Sequence, residues 1–133
     1  MIIGSYLPEQ ILDNIELSEL FPEWTPKKIE KKLGVITRHL SAEGETALDM
    51  AEKACEKLFE KVDRKIIDYV LLCTQSPDYL LPTSACILQD RLRLRTEIGA
   101  LDFNLGCSGF VYGLSLAKGL LAAGIAENIL LVV

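Results

Sequence analysis

The residue with the clearest chemical potential is Cys107, which lies within FNLGCSGFVYG at 103–113. A cysteine attacks as its thiolate, and a helix N-terminus favours the thiolate through the helix dipole and free backbone N–H groups. The same N–H groups could hold a developing oxyanion. We expect Gly106 to permit a sharp turn with an unusual φ, and Gly109 to let chain or substrate approach closely. The pattern is that of a nucleophile elbow in which cysteine replaces serine.

A buried packing thiol is the alternative interpretation of Cys107, and the residues by themselves leave both open. The cysteines at 55, 73 and 86 lie singly within apolar segments, and we interpret them as core residues. Cys107 differs because it lies at a predicted strand-to-helix junction between glycines. The chain has no CxxC pair and only one histidine, so we predict no metal site.

The elements that would position Cys107 alternate between strand and helix. Short apolar runs predict strands, and the helix after Cys107 is apolar nearly all round, so we expect it to be buried. This alternation is typical of an α/β fold with a mostly parallel central sheet and helices on both faces. The predicted order is helix 45–62, strand 66–73, helix 83–93, central strand 98–105, helix 108–123 and strand 129–133.

The first forty residues are mixed in character. A small helix is predicted near LSELF at 17–21. In TPKKIEKKLG, Pro26 can occupy the first helical turn and Gly34 can end the helix, so a second helix is predicted between them. Its lysines are expected to point outward.

Composition narrows the possible functions and the cellular location. The 133 residues carry a net charge of -5 and are 50% hydrophobic, which predicts one globular domain and argues against binding of nucleic acid. The N-terminus has no signal-peptide pattern, and charged residues and glycines interrupt the apolar stretch at 110–133, so we predict a cytoplasmic protein without a membrane span. Because the chain ends at Val133 within an apolar strand, we expect residues 1–133 to be part of a longer protein.

The sequence resembles a known family in several motifs that occur in the family's order. The cysteine segment LDFNLGCSGFVYGLSLAKGLLAAG resembles the active-site segment of β-ketoacyl-acyl-carrier-protein synthase III, a condensing enzyme of the thiolase superfamily. The other matching motifs are GSYLPEQ at 4–10, GVITRH at 34–39, GET at 44–46 and TQSPDYLLPTSACILQDRL at 74–92.

This resemblance implies a fold, a reaction and partners. The family has a thiolase-like fold of two duplicated α/β halves, of which residues 1–133 would be an incomplete N-terminal half-domain. Cys107 matches the nucleophile, which takes an acyl group from acyl-coenzyme A before malonyl-acyl-carrier protein decarboxylates and attacks the thioester. The family's catalytic histidine and asparagine belong to the second half, so we predict no condensing activity for these residues by themselves. The family acts as a homodimer and uses acyl-coenzyme A as substrate, with no further cofactor.

The resemblance also implies substrate-binding residues. Leu81 matches a position that reaches into the partner subunit's acyl pocket, although an ordinary apolar loop anchor is the alternative. Trp24 lies further from Gly34 than the family's coenzyme A segment would place it, whereas Lys28 and Lys32 fall near phosphate-contact positions. A solvated helix face would equally explain these lysines. The single histidine, His39, matches a structural position.

Two other functions remain open at this stage. One keeps the cysteine chemistry but places it in secondary metabolism or polysaccharide assembly, as a related acyltransferase. The other is a non-catalytic thiolase-like module that only dimerises or binds acyl chains. Three arginines, at 91, 93 and 95, suggest a basic patch for an acidic carrier protein.

Overall fold

The computed structural model describes all 133 residues and contains five strands and five α-helices. By contacts the chain divides into two compact units, Met1–Tyr6 with Thr46–Val133, and Leu7–Glu45. The elements are, in chain order, β1 (Gln10–Asp13), α1 (Asn14–Leu20), α2 (Pro26–Leu33), β2 (Thr37–Leu40), α3 (Ala47–Phe59), β3 (Tyr69–Cys73), α4 (Ser84–Arg91), β4 (Gly99–Phe103), α5 (Gly109–Ala122) and β5 (Ile129–Val132).

The smaller unit, Leu7–Glu45, pairs β1 with β2 in an antiparallel ribbon beside α1 and α2. Neither strand was predicted, because each is only four residues long and mixes polar with apolar side chains. Helix α2 is confirmed at its predicted bounds. Pro26 starts it, and Gly34 ends it in the left-handed conformation with φ +67°.

Two polar side chains organise this smaller unit. Buried Asn14 donates to the Val35 carbonyl at 2.9 Å and accepts from the Arg38 guanidinium at 2.5 Å. The His39 Nδ1 lies 2.5 Å from the Pro8 carbonyl oxygen. The first two bonds satisfy the buried side chain of Asn14, and the bond of the exposed His39 ties β2 to the segment before β1, as expected if His39 is structural.

The larger unit is built on a parallel sheet in the order β4-β3-β5. Strand β3 is central and buried on both faces, since Val70 and Leu71 are each fully buried. It begins at Tyr69 and not at 66 as predicted, because Arg64–Ile66 forms a single 3-10 turn capped by Asp63. Strand β4 was predicted to be central and is an edge strand. Its only partner is β3, which leaves Leu101 partly exposed.

Helices cover both faces of this sheet, as the sequence predicted. On one face, α3 and α4 seal a core with alternate residues of β3 and with β5. On the other face, α5 packs closely through its two buried glycines, since a Cβ on Gly113 would meet the Leu131 side chain at 2.7 Å. The sealed core consists of Leu48, Cys55, Ile67, Val70, Leu72, Ala85, Leu88, Leu92, Leu94 and Leu130.

Helix α5 is not buried as its composition suggested. Only Gly109 and Gly113 are buried, because these two positions allow the helix to approach the sheet through its backbone. The large apolar side chains lie on the remaining surface of the helix, which no part of this chain covers. The exposed ones are Phe110, Val111, Tyr112, Leu114, Leu116 and Leu121.

Helix α4 has a side-chain cap at its N-terminus, and α4 and α5 share the same hydrogen-bonding motif at their C-termini. Asp102 of β4 accepts hydrogen bonds from the backbone N–H groups of Ser84 and Ala85, so a strand side chain caps α4. At their C-termini both helices end with a left-handed residue and the paired hydrogen bonds of a Schellman motif. That residue is Gly124 in α5, with φ +67°, but Arg93 in α4, with φ +52°.

Candidate active site

Cys107 lies where the sequence predicted, in the turn between the end of β4 and the start of α5. Its side chain is exposed, unlike that of a core thiol. The turn is closed by a 2.8 Å hydrogen bond from the Gly109 N–H to the Gly106 carbonyl. Ser108 is the N-cap, but its hydroxyl makes no capping bond. The thiol is therefore accessible at the positive end of a fourteen-residue helix.

Several backbone amides around Cys107 have no acceptor within the chain. The N–H groups of Cys107, Ser108, Phe110 and Val111 make no hydrogen bond, and the first helical bond is donated by Tyr112 to the Ser108 carbonyl at 3.1 Å. Unpaired donors at a helix N-terminus favour negative charge. The arrangement can therefore stabilise a thiolate, or an oxyanion formed beside it.

The two glycines around Cys107 have different roles. Gly109 permits close packing, since a Cβ there would collide with the Cys73 sulfur. Gly106 was expected to need an unusual φ, and this was wrong because its φ is not positive. A Cβ there would lie 3.2 Å from the Gln75 side-chain oxygen, a contact that a small movement of this flexible side chain would relieve.

Cys73 supports the turn from below. Its thiol donates to the Leu105 carbonyl at 3.4 Å, joining the end of β3 to the segment that leads to Cys107. Cys55 lies within the sealed core, where burial raises the pKa of its thiol to about 12 and the nearby Glu56 and Glu52 add to the effect. Both therefore fit the packing role predicted for them. The same prediction was wrong for Cys86, because its side chain is exposed.

The structure brings Trp24, Lys28 and Lys32 together within the smaller unit. The Lys28 and Lys32 ammonium groups lie 4.5 and 5.3 Å from the centroid of the indole ring. Lys28 also donates to the Glu23 carbonyl at 3.1 Å. An aromatic face with two adjacent cations suits a ligand that combines a flat ring with phosphate.

Leu81 lies in the loop between β3 and α4. Its side chain is 81% exposed, and its neighbours Tyr79 and Leu80 are 63% and 91% exposed. Within residues 1–133, Leu81 is therefore not buried against its own loop as an anchor would be. We call Tyr79–Leu81 the apolar apex.

The three arginines at 91, 93 and 95 do not form a free basic patch. Arg91 bonds Asp49 at 2.7 Å and Glu52 at 3.4 Å, and Arg95 bonds Glu97 at 2.9 Å. The Thr46 backbone N–H, and then Arg91, hold the pKa of Asp49 below its ordinary value of 3.8. Two of the three positive charges are thus compensated within the chain, which removes most of the basis for carrier-protein docking here.

A cleft of about 400 Å³ opens at the carboxyl ends of β3 and β5, and its position was not predicted. Its walls include Leu48, Ala51, Thr74 and Val132. Buried Ser84 also contributes, and its hydroxyl has no hydrogen-bond partner. Binding sites commonly lie at the carboxyl ends of parallel strands. The sequence did not predict this cleft because its position depends on the order of the strands in the sheet. Cys107 does not line this cleft.

Comparison with known proteins supports the resemblance to β-ketoacyl-acyl-carrier-protein synthase III. Residues 101–133, which contain Cys107, match the family model described as 3-oxoacyl-[acyl-carrier-protein (ACP)] synthase III. A β-ketoacyl-[acyl-carrier-protein] synthase III from Sulfurovum sp. (strain NBC37-1) is 38% identical over 98% of this chain. The chain is therefore similar, over nearly its whole length, to part of a 3-oxoacyl-ACP synthase III.

Solved structures agree with this assignment and confirm the thiolase-like α/β fold. A crystal structure of a 3-oxoacyl-(acyl-carrier-protein) synthase III superposes with a TM-score of 0.91 at 54% identity, covering 97% of this chain and 39% of that one. A solved tetronic acid condensing enzyme superposes with a TM-score of 0.82 at 30% identity, covering 98% of this chain and 41% of that one. The Sulfurovum match likewise covers 38% of the relative, so the chain spans about two fifths of these proteins. No helix of the structure has both the length and the apolar character to cross a membrane.

Proposed function

We propose that the chain is the nucleophile-bearing part of a 3-oxoacyl-ACP synthase III that starts fatty-acid synthesis. The observation that carries the proposal is the exposed Cys107 at a helix N-terminus, within the segment that matches the family model. The first step is transfer of an acyl group. The Cys107 thiolate attacks the acyl-coenzyme A carbonyl, the unpaired amides near 107–111 stabilise the oxyanion, and the coenzyme A thiolate leaves.

The second step is decarboxylative condensation. Malonyl-acyl-carrier protein loses carbon dioxide, its carbanion attacks the Cys107 thioester, and 3-oxoacyl-acyl-carrier protein forms as the cysteine thiolate is released. The only histidine of the chain, His39, is hydrogen-bonded to the Pro8 carbonyl within the smaller unit. We therefore assign the acid–base groups of the condensation to the part of the relatives that the chain does not span. We therefore expect the residues described above to support acylation of Cys107 but not, by themselves, the condensation.

The substrate and assembly assignments extend this proposal. The ring of Trp24 with the Lys28 and Lys32 ammonium groups would hold the adenine and phosphates of coenzyme A. The exposed Leu81 would enter the acyl pocket of a partner subunit in a homodimer, since its side chain contacts little of its own chain. We place this enzyme in the cytoplasm and assign it no cofactor beyond the acyl-coenzyme A substrate.

The proposed acylation is tested by intact-mass spectrometry of the full-length protein after mixing with acetyl-coenzyme A. We expect a single acetyl adduct that is absent in Cys107→Ala and unaffected in Cys86→Ser, which removes the other exposed cysteine. An adduct that persists in Cys107→Ala would contradict the assignment. No adduct on a folded, full-length sample would favour the non-catalytic module.

The related acyltransferase of another pathway stays a second candidate. It is supported by the 30% identity with the tetronic acid condensing enzyme, which is close to that of several synthase III structures. The acylated protein is therefore mixed with malonyl-acyl-carrier protein. Release of carbon dioxide with formation of 3-oxoacyl-acyl-carrier protein supports the synthase, whereas acylation without this product favours the alternative.

A further inference from the structure

The loop that carries the apolar apex makes few contacts of its own. Tyr79, Leu80 and Leu81 are all largely exposed, so burial of their side chains does not determine the loop's conformation. The loop must instead depend on hydrogen bonds made by its other residues. Those bonds decide where the apex lies relative to the sheet.

Both ends of this loop are attached to the sheet. At the start, the Thr74 N–H donates to the Phe103 carbonyl at 3.2 Å, which continues the pairing of β3 with β4. At the end, Asp102 of β4 caps α4 through the N–H groups of Ser84 and Ala85. The ends are therefore fixed to the same strand that leads to Cys107.

A single hydrogen bond holds the middle of the loop. Between Pro77 and Pro82, the only hydrogen bond joins the Thr46 hydroxyl to an Asp78 carboxylate oxygen at 3.0 Å, and it is partly buried. Asp78 directly precedes the apolar apex. Removing this bond would release the apex while both ends of the loop stay attached.

Thr46 connects this bond to a rigid element. Its oxygen accepts from the Asp49 N–H at 3.2 Å in the capping box of α3, while its proton is donated to Asp78. One hydroxyl thus caps α3 and anchors the loop. Since α3 packs into the sealed core, the anchor belongs to a well-fixed part of the unit.

We propose that Asp78 is a positioning residue that, through its bond to Thr46, holds the apolar apex and so sets the acyl-chain length that the enzyme accepts. This role rests on the proposed function, because Leu81 of the apex is the residue assigned there to the acyl pocket. Asp78 itself touches no substrate. Its effect passes through the conformation of residues 79–81.

The test compares Asp78→Ala with Asp78→Asn in the full-length protein. Alanine removes the acceptor, whereas asparagine keeps an oxygen for the Thr46 hydroxyl. For each variant we measure kcat/KM for acetyl-coenzyme A and for hexanoyl-coenzyme A. We expect the ratio of the two to change about fivefold in Asp78→Ala, the effect of one lost hydrogen bond, and to return close to the wild-type ratio in Asp78→Asn.

Two further variants show whether the effect passes through the apex. In Leu81→Ala, adding Asp78→Ala should change the ratio little, because the residue being positioned is gone. Glu43→Ala removes an exposed carboxylate elsewhere and should leave the ratio unchanged. Chymotrypsin cleavage after the exposed Tyr79, in otherwise folded protein, should accelerate in Asp78→Ala and not in Asp78→Asn.

The outcomes separate the anchor from the proposed function. Faster cleavage with an unchanged substrate ratio would overturn the role in chain-length selection. Unchanged cleavage in Asp78→Ala would overturn the anchor itself. A full-length wild-type protein that accepts no acyl-coenzyme A, while its Asp78→Ala variant shows the faster cleavage, would overturn the proposed function and with it the selectivity role.

Discussion

The two faces of the parallel sheet differ in how completely the chain covers them. On the face of α3 and α4, the side chains of β3 and β5 enter a sealed core that includes Leu88 and Cys55. On the face of α5, contact is made through buried glycines, and the helix turns its large apolar side chains to the surface. The sealed face holds the hydrophobic core, and the open face has the exposed Cys107 at its edge.

This contrast shows that a helix rich in apolar residues is not necessarily buried by its own chain. Exposed apolar surface of this extent on a helix is typical of a surface that another protein segment covers. The relatives are about two and a half times as long as this chain, since it spans about two fifths of their length. The apolar composition of α5 therefore indicates a contact surface. It does not mean that residues 1–133 bury the helix.

The largest expected difference between the faces is in thiol reactivity. Folded protein is treated with iodoacetamide at pH 8, and the labelling rates of Cys55 and Cys107 are followed by peptide mass spectrometry. Raising the pKa of Cys55 from 9.0 to about 12 lowers its thiolate population about a thousandfold. We expect Cys107 to react at least that much faster, and comparable rates would mean that the sealed core opens readily.

Truncation of core leucines should separate the faces by stability. Leu88 is fully buried against the sheet, so Leu88→Ala should lower the free energy of unfolding by about 3 kcal/mol. The matched change Leu116→Ala, on the exposed side of α5 at 42% exposure, should cost less than about 0.5 kcal/mol in this chain. Urea denaturation measures both. A large cost at Leu116 would show that the open face is covered in solution.

A smaller difference is expected at the C-terminal ends of α4 and α5. Arg93 pays the steric penalty of a left-handed residue, so Arg93→Gly should stabilise the chain by about 0.5 kcal/mol after the added freedom of the unfolded state is subtracted. Gly124→Ala should destabilise it by about 1 kcal/mol, since a Cβ there meets open space and only the φ is unfavourable. Thermal unfolding of the two variants should shift in opposite directions.

The smallest expected effect is the pH dependence of the ion pair between α3 and α4. Because the folded pKa of Asp49 lies below its ordinary value of 3.8, its contribution is present above that value and is lost as pH falls through the folded pKa. Asp49→Asn should therefore flatten the acid side of the stability profile, measured by urea unfolding between pH 6 and about pH 3. Glu43→Gln serves as the control. A profile in Asp49→Asn that matches wild type would show that this carboxylate does not contribute.

Much of the fold follows from local signals in the sequence. Pro26 and Gly34 bound α2 because each has a backbone preference that needs no tertiary partner. The strands of the parallel sheet and the helices beside it follow from the spacing of apolar residues and from the length of each apolar run. The ribbon of β1 and β2 does not, because four-residue strands with mixed side chains depend on pairing between segments that lie far apart in the sequence.

The candidate site divides in the same way. The place of Cys107 follows from the strand, the glycines and the helix around it. The proximity of Gly106 to Gln75 and the bond from Thr46 to Asp78 do not, because each joins segments separated by some thirty residues. The catalytic role of Cys107 and the ligand roles of Trp24, Lys28, Lys32 and Leu81 stay predictions until the labelling and acylation experiments are done.

Asp102 links the register of β4, the strand that leads to Cys107, to the capping of α4. Neighbouring strand residues point to opposite faces, so a slip of β4 by one position against β3 would turn this carboxylate away from α4 and leave the helix uncapped. The cap therefore forms only when Leu72 and Asp102 are paired. A chain with β4 out of register would therefore lose the N-terminal cap of α4 as well as sheet hydrogen bonds. In the observed register, the turn that carries Cys107 has one defined position relative to β3.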